Sequence, residues 1–235
     1  MAKQVITDAL IAAHGYDLSN TSNSVALEYG ADAVADTCFG EGTRTAAGGL
    51  KTVSMGAEGY WQSAPDASLF SRVGVAGGVV TVAARGDTGD PAYSFAAMVG
   101  EYAPEGSVGE MFGFTMSAAA QNQLFRGTVL GRYLAAASVG APTQVGAIAA
   151  GQRLHASLHV FSITGSGSVT VGIESNAGGT FSGSETERHA FSAFSEPGSE
   201  YASVSATTTN TWWRPTFSFG GSATAASVLV VIGIQ

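Results

Sequence analysis

Two runs rich in alternating and β-branched residues, GVVTVAAR (78–85) and AYSFAAMVGEYAP (92–104), are separated by GDTGDP (86–91). Period-two alternation on either side of a Gly- and Pro-bearing cluster reads as a β-hairpin with a longer loop. The same grammar recurs along the chain. SNSVALEYGADAV (22–34) reads as a strand with Val25, Leu27 and Tyr29 on one face, and LKTVSMGAEGYWQ (50–62) as another. VGEMFGFTMSAAAQ (108–121) is a further strand. One short helix interrupts them. Asp66 is a plausible N-cap for ASLFSRV, Gly74 a plausible stop, and Leu69, Phe70 and Val73 would form its apolar side.

Residues 126–151 change character, being Ala-, Gly- and Val-rich and nearly free of acid, and they read as a connector with some strand content. QRLHASLHVFSIT, SVTVGIES, ERHAFSAFS, YASVSATT, TWWRPTFSFGG and ASVLVVIGIQ then follow at turn-separated intervals. That is the pattern of an antiparallel sandwich or jelly roll. The expected fold class is therefore all-β. An N-terminal β-sandwich or barrel with one short helix occupies residues 1–130. An Ala/Gly-rich connector fills 131–151, and a C-terminal antiparallel β-sandwich or jelly roll spans 152–235.

Charge narrows the partners. The formal net charge is −8, and residues 1–135 carry thirteen carboxylates against seven basic groups. A protein that grips nucleic-acid phosphates needs clustered Lys and Arg, and here Lys3 and Lys51 are the only lysines. The opening MAKQVITDALIAAHG makes a poor signal peptide, because Asp8 breaks its apolar run. The final apolar run covers about half of what a membrane-spanning helix needs and reads as a buried strand. No membrane partner is expected. Cys38 is the single cysteine, so no intrachain disulfide is possible, and a small buried thiol is the expected state.

The stretch DTCFGEGTRTAAGGLKTVS (36–54) invites a phosphate-binding reading and fails it. A P-loop needs Gly at positions 50 and 45, which hold Leu50 and Thr45. A dinucleotide fingerprint on Gly40 and Gly42 needs a third Gly where Thr45 stands. The stretch reads as a turn between strands with Arg44 projecting. His155 and His159 share a strand face, but the local sequence supplies no third metal ligand. Glu185 and Glu187 read as a solvated loop. No esterase elbow, zincin or EF-hand motif is present, so neither an enzyme nor a cofactor is expected. Trp212, Trp213 and Arg214 form an aromatic–basic cluster. Neighbours on a strand point to opposite faces, so at most one tryptophan would meet a ligand while the other joins the core.

The first half resembles tail tube proteins of long-tailed bacteriophages. The resemblance rests on YDLSNTSNSVALEYGADAVADTCFGEGTRTAAGGLKTVSMGAEGYW, then DASLFSRVG, then EYAPEGSVGEMFGFTMSAAA. The family's opening connection falls on Thr37, Gly40, Arg44, Gly49 and Leu50, and its short Asp-Ala-x-Leu-Phe segment on Asp66, Ala67, Leu69 and Phe70. Its later turn is approximated by Gly106, Val108, Gly109 and Glu110. The second half looks like the β-rich segment that accompanies such domains in phage structural proteins. The resemblances together cover most of the chain, which is longer than a usual tube subunit.

The resemblance implies a non-enzymatic virion protein of the tail, made in the host bacterial cytoplasm. It implies stacked homo-oligomeric rings, hexameric in this family, contacts with other tail or head proteins, and DNA passing through the lumen without specific binding. Gly40, Gly42, Arg44, Gly48 and Gly49 would then form an assembly loop. The alternatives are a capsid-decorating or minor tail protein, or a glycan-binding module that uses the surface of Trp212, Trp213 and Arg214.

Overall fold

A computed structural model of the chain describes residues 8–38, 43–136, 138–183 and 185–235. Among these, fifteen strands and one helix form. The first are β1 (Leu10–Ala13), β2 (Tyr16–Asp17), β3 (Ser22–Ala35), β4 (Ala46–Tyr60) and the helix α1 (Ser63–Ser71). Next come β5 (Gly78–Ala83), β6 (Pro91–Glu105), β7 (Gly113–Ala120), β8 (Phe125–Ala135) and β9 (Thr143–Gln144). The rest are β10 (Leu154–Thr164), β11 (Gly167–Asn176), β12 (Thr186–Ala190), β13 (Gly198–Val204), β14 (Trp212–Gly221) and β15 (Ala225–Ile234). The all-β expectation with one short helix holds. No helix among the described residues is long and apolar enough to cross a membrane.

An eleven-stranded sheet runs β13-β10-β15-β8-β6-β5-β1-β2, with β7, β4 and β3 branching from β6. A second sheet runs β12-β11-β14-β9. Every ladder between these strands is antiparallel. Three apolar cores result. One lies between the first-half strands and under α1, with Met55, Phe95, Val99 and Met116 at its centre. A second lies between the two sheets, with Leu158, Val171, Trp213 and Val230. The third fills the inside of the curl where β13 and β10 fold over β5, with Leu10, Phe125, Val129, Leu229 and Val231. β15 therefore sends Val228, Val230 and Ile232 into one core and Leu229 and Val231 into another. Burial on both faces explains why its sequence is continuously apolar rather than alternating.

Several expectations are corrected. Residues 131–135, read as connector, complete β8, which hydrogen-bonds β6 on one side and β15 on the other. Leu10–Ala13, not recognised as a strand, is β1, buried throughout. β4 begins at Ala46, inside the Gly-rich stretch, and β7 begins only at Gly113. Gln62, not Asp66, is the N-cap of α1. Pro65 tolerates the first turn, where its missing N–H is not needed, so the helix starts earlier than expected. Asp66 sits in that first turn and accepts a hydrogen bond from the Tyr102 hydroxyl at 2.9 Å. Of the expected apolar side only Leu69 is buried, while Phe70 is 70% exposed and Val73 is 42% exposed. Cys38 is exposed, not buried, because it lies at the outer end of a hairpin that leaves the core.

The turn between β1 and β2 ties the first half to the second. His14 and Gly15 both have positive φ, 52° and 86°, the pattern of a two-residue type I′ hairpin turn. A β-carbon on Gly15 would collide with the backbone of Gly198 at the start of β13, so only glycine fits.

Candidate assembly surface

The branch β3-β4-β7-β6 is a four-stranded sheet with one face in the core and one in solvent. Register decides what the outer face carries. Glu28, Ser54, Ala119 and Met98 lie in one cross-strand row, and Ala26, Gly56, Ser117 and Glu101 in the next. Ser24, Glu58, Thr115 and Ala103 follow, then Tyr60, Gly113 and Glu105. Four exposed glutamates, Glu28, Glu58, Glu101 and Glu105, thus share this face, and its rows contain no basic residue. A β-bulge between Val99 and Glu101 is what turns Glu101 and Glu105 outward and Tyr102 inward. Burial, then the hydrogen bond and charge of Asp66, keep the Tyr102 phenol protonated well above its ordinary range.

Both edges of this sheet are open among the described residues. β3 is paired on one side only, by β4, along its whole length. The segment 101–105 of β6 is paired only by β7. Open edges present rows of unpaired N–H and C=O groups and are templates for another chain.

Beyond the row of Glu28 the hairpin leaves the core. β7 stops at the level of Ser54, while β3 and β4 continue as a two-stranded ribbon through the pairs Tyr29–Val53, Ala31–Lys51, Ala33–Gly48 and Ala35–Ala46. Its residues from 29 outward are almost all exposed, including Tyr29, Val34 and Leu50. Thr37 fastens the outer end: the N–H of Thr45 donates to Thr37 Oγ1 at 3.0 Å. Of the expected assembly-loop residues, Gly40 and Gly42 lie outside the described residues. Arg44 is exposed just before β4, and Gly48 and Gly49 are strand residues of the ribbon rather than loop. Strand pairing thus reaches further into the Gly-rich stretch than the composition implied.

The structure separates the aromatic–basic cluster. Trp213 is fully buried in the inter-sheet core and its Nε1–H donates to Gly146 O at 2.8 Å. Trp212 points the other way, half-buried, its ring so close to Gly179 that a β-carbon there would sit 3.1 Å from it. Arg214 donates through Nε and Nη2 to Glu174 Oε2, both at 3.0 Å, and stacks 4.3 Å over the Phe181 ring. Glu185 lies 3.8 Å from the same guanidinium, and Glu187 is an exposed residue of β12.

His155 and His159 share a face as expected, and both are buried. His155 Nδ1 lies 2.6 Å from the Tyr201 hydroxyl, and His159 reaches Thr81. Among the described residues no group of three or more His, Cys, Asp or Glu gathers where it could hold a metal. The gathering of the four glutamates escaped the sequence reading, whereas the turn expected on Gly106, Val108, Gly109 and Glu110 is present and runs on to Phe112. The cross-strand register that groups the glutamates is set by bulges no local pattern announces.

No family model matches the chain, and no curated protein sequence matches it. Eleven solved chains do. One belongs to the virion of a native gene transfer agent particle; it is 17% identical with a TM-score of 0.42, over 53% of this chain and 98% of that one. Another belongs to the tail of an empty gene transfer agent particle with C6 symmetry; it is 17% identical with a TM-score of 0.44, over 52% of this chain and 98% of that one. A third is the SPP1 Dit protein, described as a paradigm of hub adsorption apparatus in phages infecting Gram-positive bacteria. It is 11% identical with a TM-score of 0.38, over 97% of this chain and 99% of that one. At such identities and scores these likenesses carry no argument about function.

Proposed function

We propose that this chain is a structural protein of a phage-type tail, a subunit that assembles into hexameric rings which stack into a tube. In this reading the open edge of β3 in one copy pairs with the 101–105 edge of β6 in the next. Neighbouring four-stranded sheets then close into one barrel around a bore. Closure removes two exposed strand edges per copy. The face carrying Glu28, Glu58, Glu101 and Glu105 lines the bore, where carboxylates repel DNA phosphates and let the polyanion slide without sticking.

The observation that carries the reading is that face: four glutamates and no basic residue on a sheet open at both edges. The tube-like unit is assigned to the first half of the chain, expected over residues 1–130 and extended here to the end of β8 at Ala135, and the sandwich formed mainly by 152–235 lies outside it. The ribbon of β3 and β4, with Arg44 near its tip, reaches the adjoining ring. The order of motifs by which the first half resembles tail tube proteins supports the same assignment.

Electron micrographs of the purified protein test it. Striated tubes with an open centre are the expected result. Single rings that never stack assign the chain to a minor tail position instead, and isolated globules at every concentration overturn the proposal.

A further inference from the structure

The sheet that bears the glutamates has unlike ends. At one end, between β6 and β7, residues 106–112 form a turn held by a hydrogen bond from Glu110 N–H to Ser107 O at 3.1 Å, with Gly109 at φ 91°. Phe112 anchors this turn by packing on Trp61, ring centroids 5.8 Å apart. Val108 and Met111 are left outside, fully exposed and 72% exposed respectively. A preformed turn thus presents two large apolar side chains mostly to solvent.

At the opposite end, some six residues along β7, or roughly 20 Å at strand rise, the ribbon leaves the sheet. A groove of about 790 Å³ opens there, lined by Tyr29, Leu50, Lys51, Val53, Ala120 and Leu124 among others. Leu50 is 81% exposed. Among the described residues Lys51 is the one charged side chain lining the groove, and its ammonium rests 5.8 Å over the Tyr29 ring. The turn carries the opposite sign, with Glu105 and Glu110 beside Val108 and Met111.

We infer that a second copy of this chain occupies the groove, inserting the Val108–Met111 turn at the base of the ribbon with Glu110 beside Lys51. The contact is head-to-tail and joins opposite ends of the sheet, so its repeat runs along the strand direction, across the ring contact, and stacks copies where its rotation does not close. The inference rests on the ring-stacking reading above and names the surfaces that would meet. The ribbon of the lower copy then flanks the upper copy's turn, so the two elements exposed at opposite ends cover each other.

The test compares the full chain with Met111→Asp, Lys51→Glu, Glu110→Lys and the Lys51→Glu/Glu110→Lys double variant, using sedimentation velocity and electron microscopy. Thermal unfolding confirms that each variant folds, as expected for exposed positions. Met111→Asp and both single charge variants are expected to lower stacking at least 10-fold while leaving single rings, and the double variant to regain most of it. Filaments without a bore that Met111→Asp abolishes support the contact while overturning the ring reading. Variants that stack as well as the parent chain overturn the contact and leave the ring reading intact. A parent chain that stays monomeric at all concentrations overturns both.

Discussion

His159 Nε2, on β10, lies 2.9 Å from Thr81 Oγ1, on β5, inside the core that joins the two halves. Gly15 N–H donates to His159 Nδ1 at 3.4 Å, so Nδ1 is the acceptor and Nε2 carries the proton. Thr81 then donates to Ser94 Oγ at 2.9 Å, and Ser94 donates to Val80 O at 3.1 Å. The relay is directional and uses each hydroxyl once. Thr81→Val keeps the shape and removes the acceptor, leaving a buried N–H without a partner. The expected cost is about 2 kcal/mol, read as a fall in Tm of roughly 4–8 °C by calorimetry, with Thr81→Ser close to the parent. An unchanged Tm for Thr81→Val would show that the relay contributes nothing.

The same core makes folding acid-sensitive. Burial, helped by the nearby Arg72 charge, lowers the pKa of His14 to about 4, and burial, helped by His14, lowers that of His159 to about 3. Unfolded histidine titrates near 6.5. Below pH 6.5 the unfolded chain therefore binds protons that the folded chain refuses, and stability falls as pH falls. The loss ends near pH 4 for His14 and near pH 3 for His159; above 6.5 it is absent. Within that window each histidine contributes a slope of up to about 1.4 kcal/mol per pH unit. Urea midpoints at pH 7.5 and 5 measure it. His14→Asn, which tolerates the positive φ at that turn, is expected to remove part of the decline and leave the rest, because burial also holds His155, His159 and His189 below the usual histidine range.

Much of this architecture is legible along the chain and some is not, for identifiable reasons. Strands with one buried face, such as β3 and β14, announce themselves by alternation, and the hairpin of β5 and β6 by its turn residues. β8 does not, because Gly127 and Gly131 dilute its pattern. Gly127 stands where a β-carbon would strike the carbonyl of Ile232 on β15, so the close strand approach that makes β8 central also makes it look like a linker. The candidate site was half legible. The acidic bias of the first half is visible in the counts. Its gathering on one face depends on the one-residue bulge before Glu101 and on pairings between strands distant in sequence.

Trp212 and Trp213 are adjacent in sequence and differ in fate, and mutation separates them. Trp213→Phe removes the hydrogen bond to Gly146 O and opens a void in a filled core. A loss of about 2–3 kcal/mol is expected. Trp212→Phe keeps most of a half-buried contact and is expected to cost under about 1 kcal/mol. Guanidinium unfolding monitored by circular dichroism compares them; equal losses would contradict the placement of Trp213.

The ribbon is separable from the fold. Ala35 and Ala46 are paired, so residues 36–45 can be replaced by an Asn-Gly turn without disturbing the register below. None of the three cores includes a described residue of that segment. The shortened chain is expected to unfold within about 2 °C of the parent and to form rings that stack poorly. A large fall in Tm would mean that the segment supports the monomer, and unaltered tubes would remove it from the stacking contact.

Glu58 and Glu101 occupy the two middle rows of the exposed face, each among small or hydroxylated neighbours and without an ion pair among the described residues. Exposed, unpaired carboxylates contribute little to stability, so Glu58→Lys/Glu101→Lys is expected to fold with an unchanged Tm. Its effect falls on DNA. Each substitution changes the local charge by two, and a sixfold ring multiplies the change around the bore. Assembled double-variant particles are expected to retain double-stranded DNA in filter binding at low salt, and to release it as salt rises and counterions compete for the phosphates. Parent particles are expected to retain none under the same conditions. If both release DNA equally, the glutamate face does not meet the passing polyanion, and the bore must be lined by another surface.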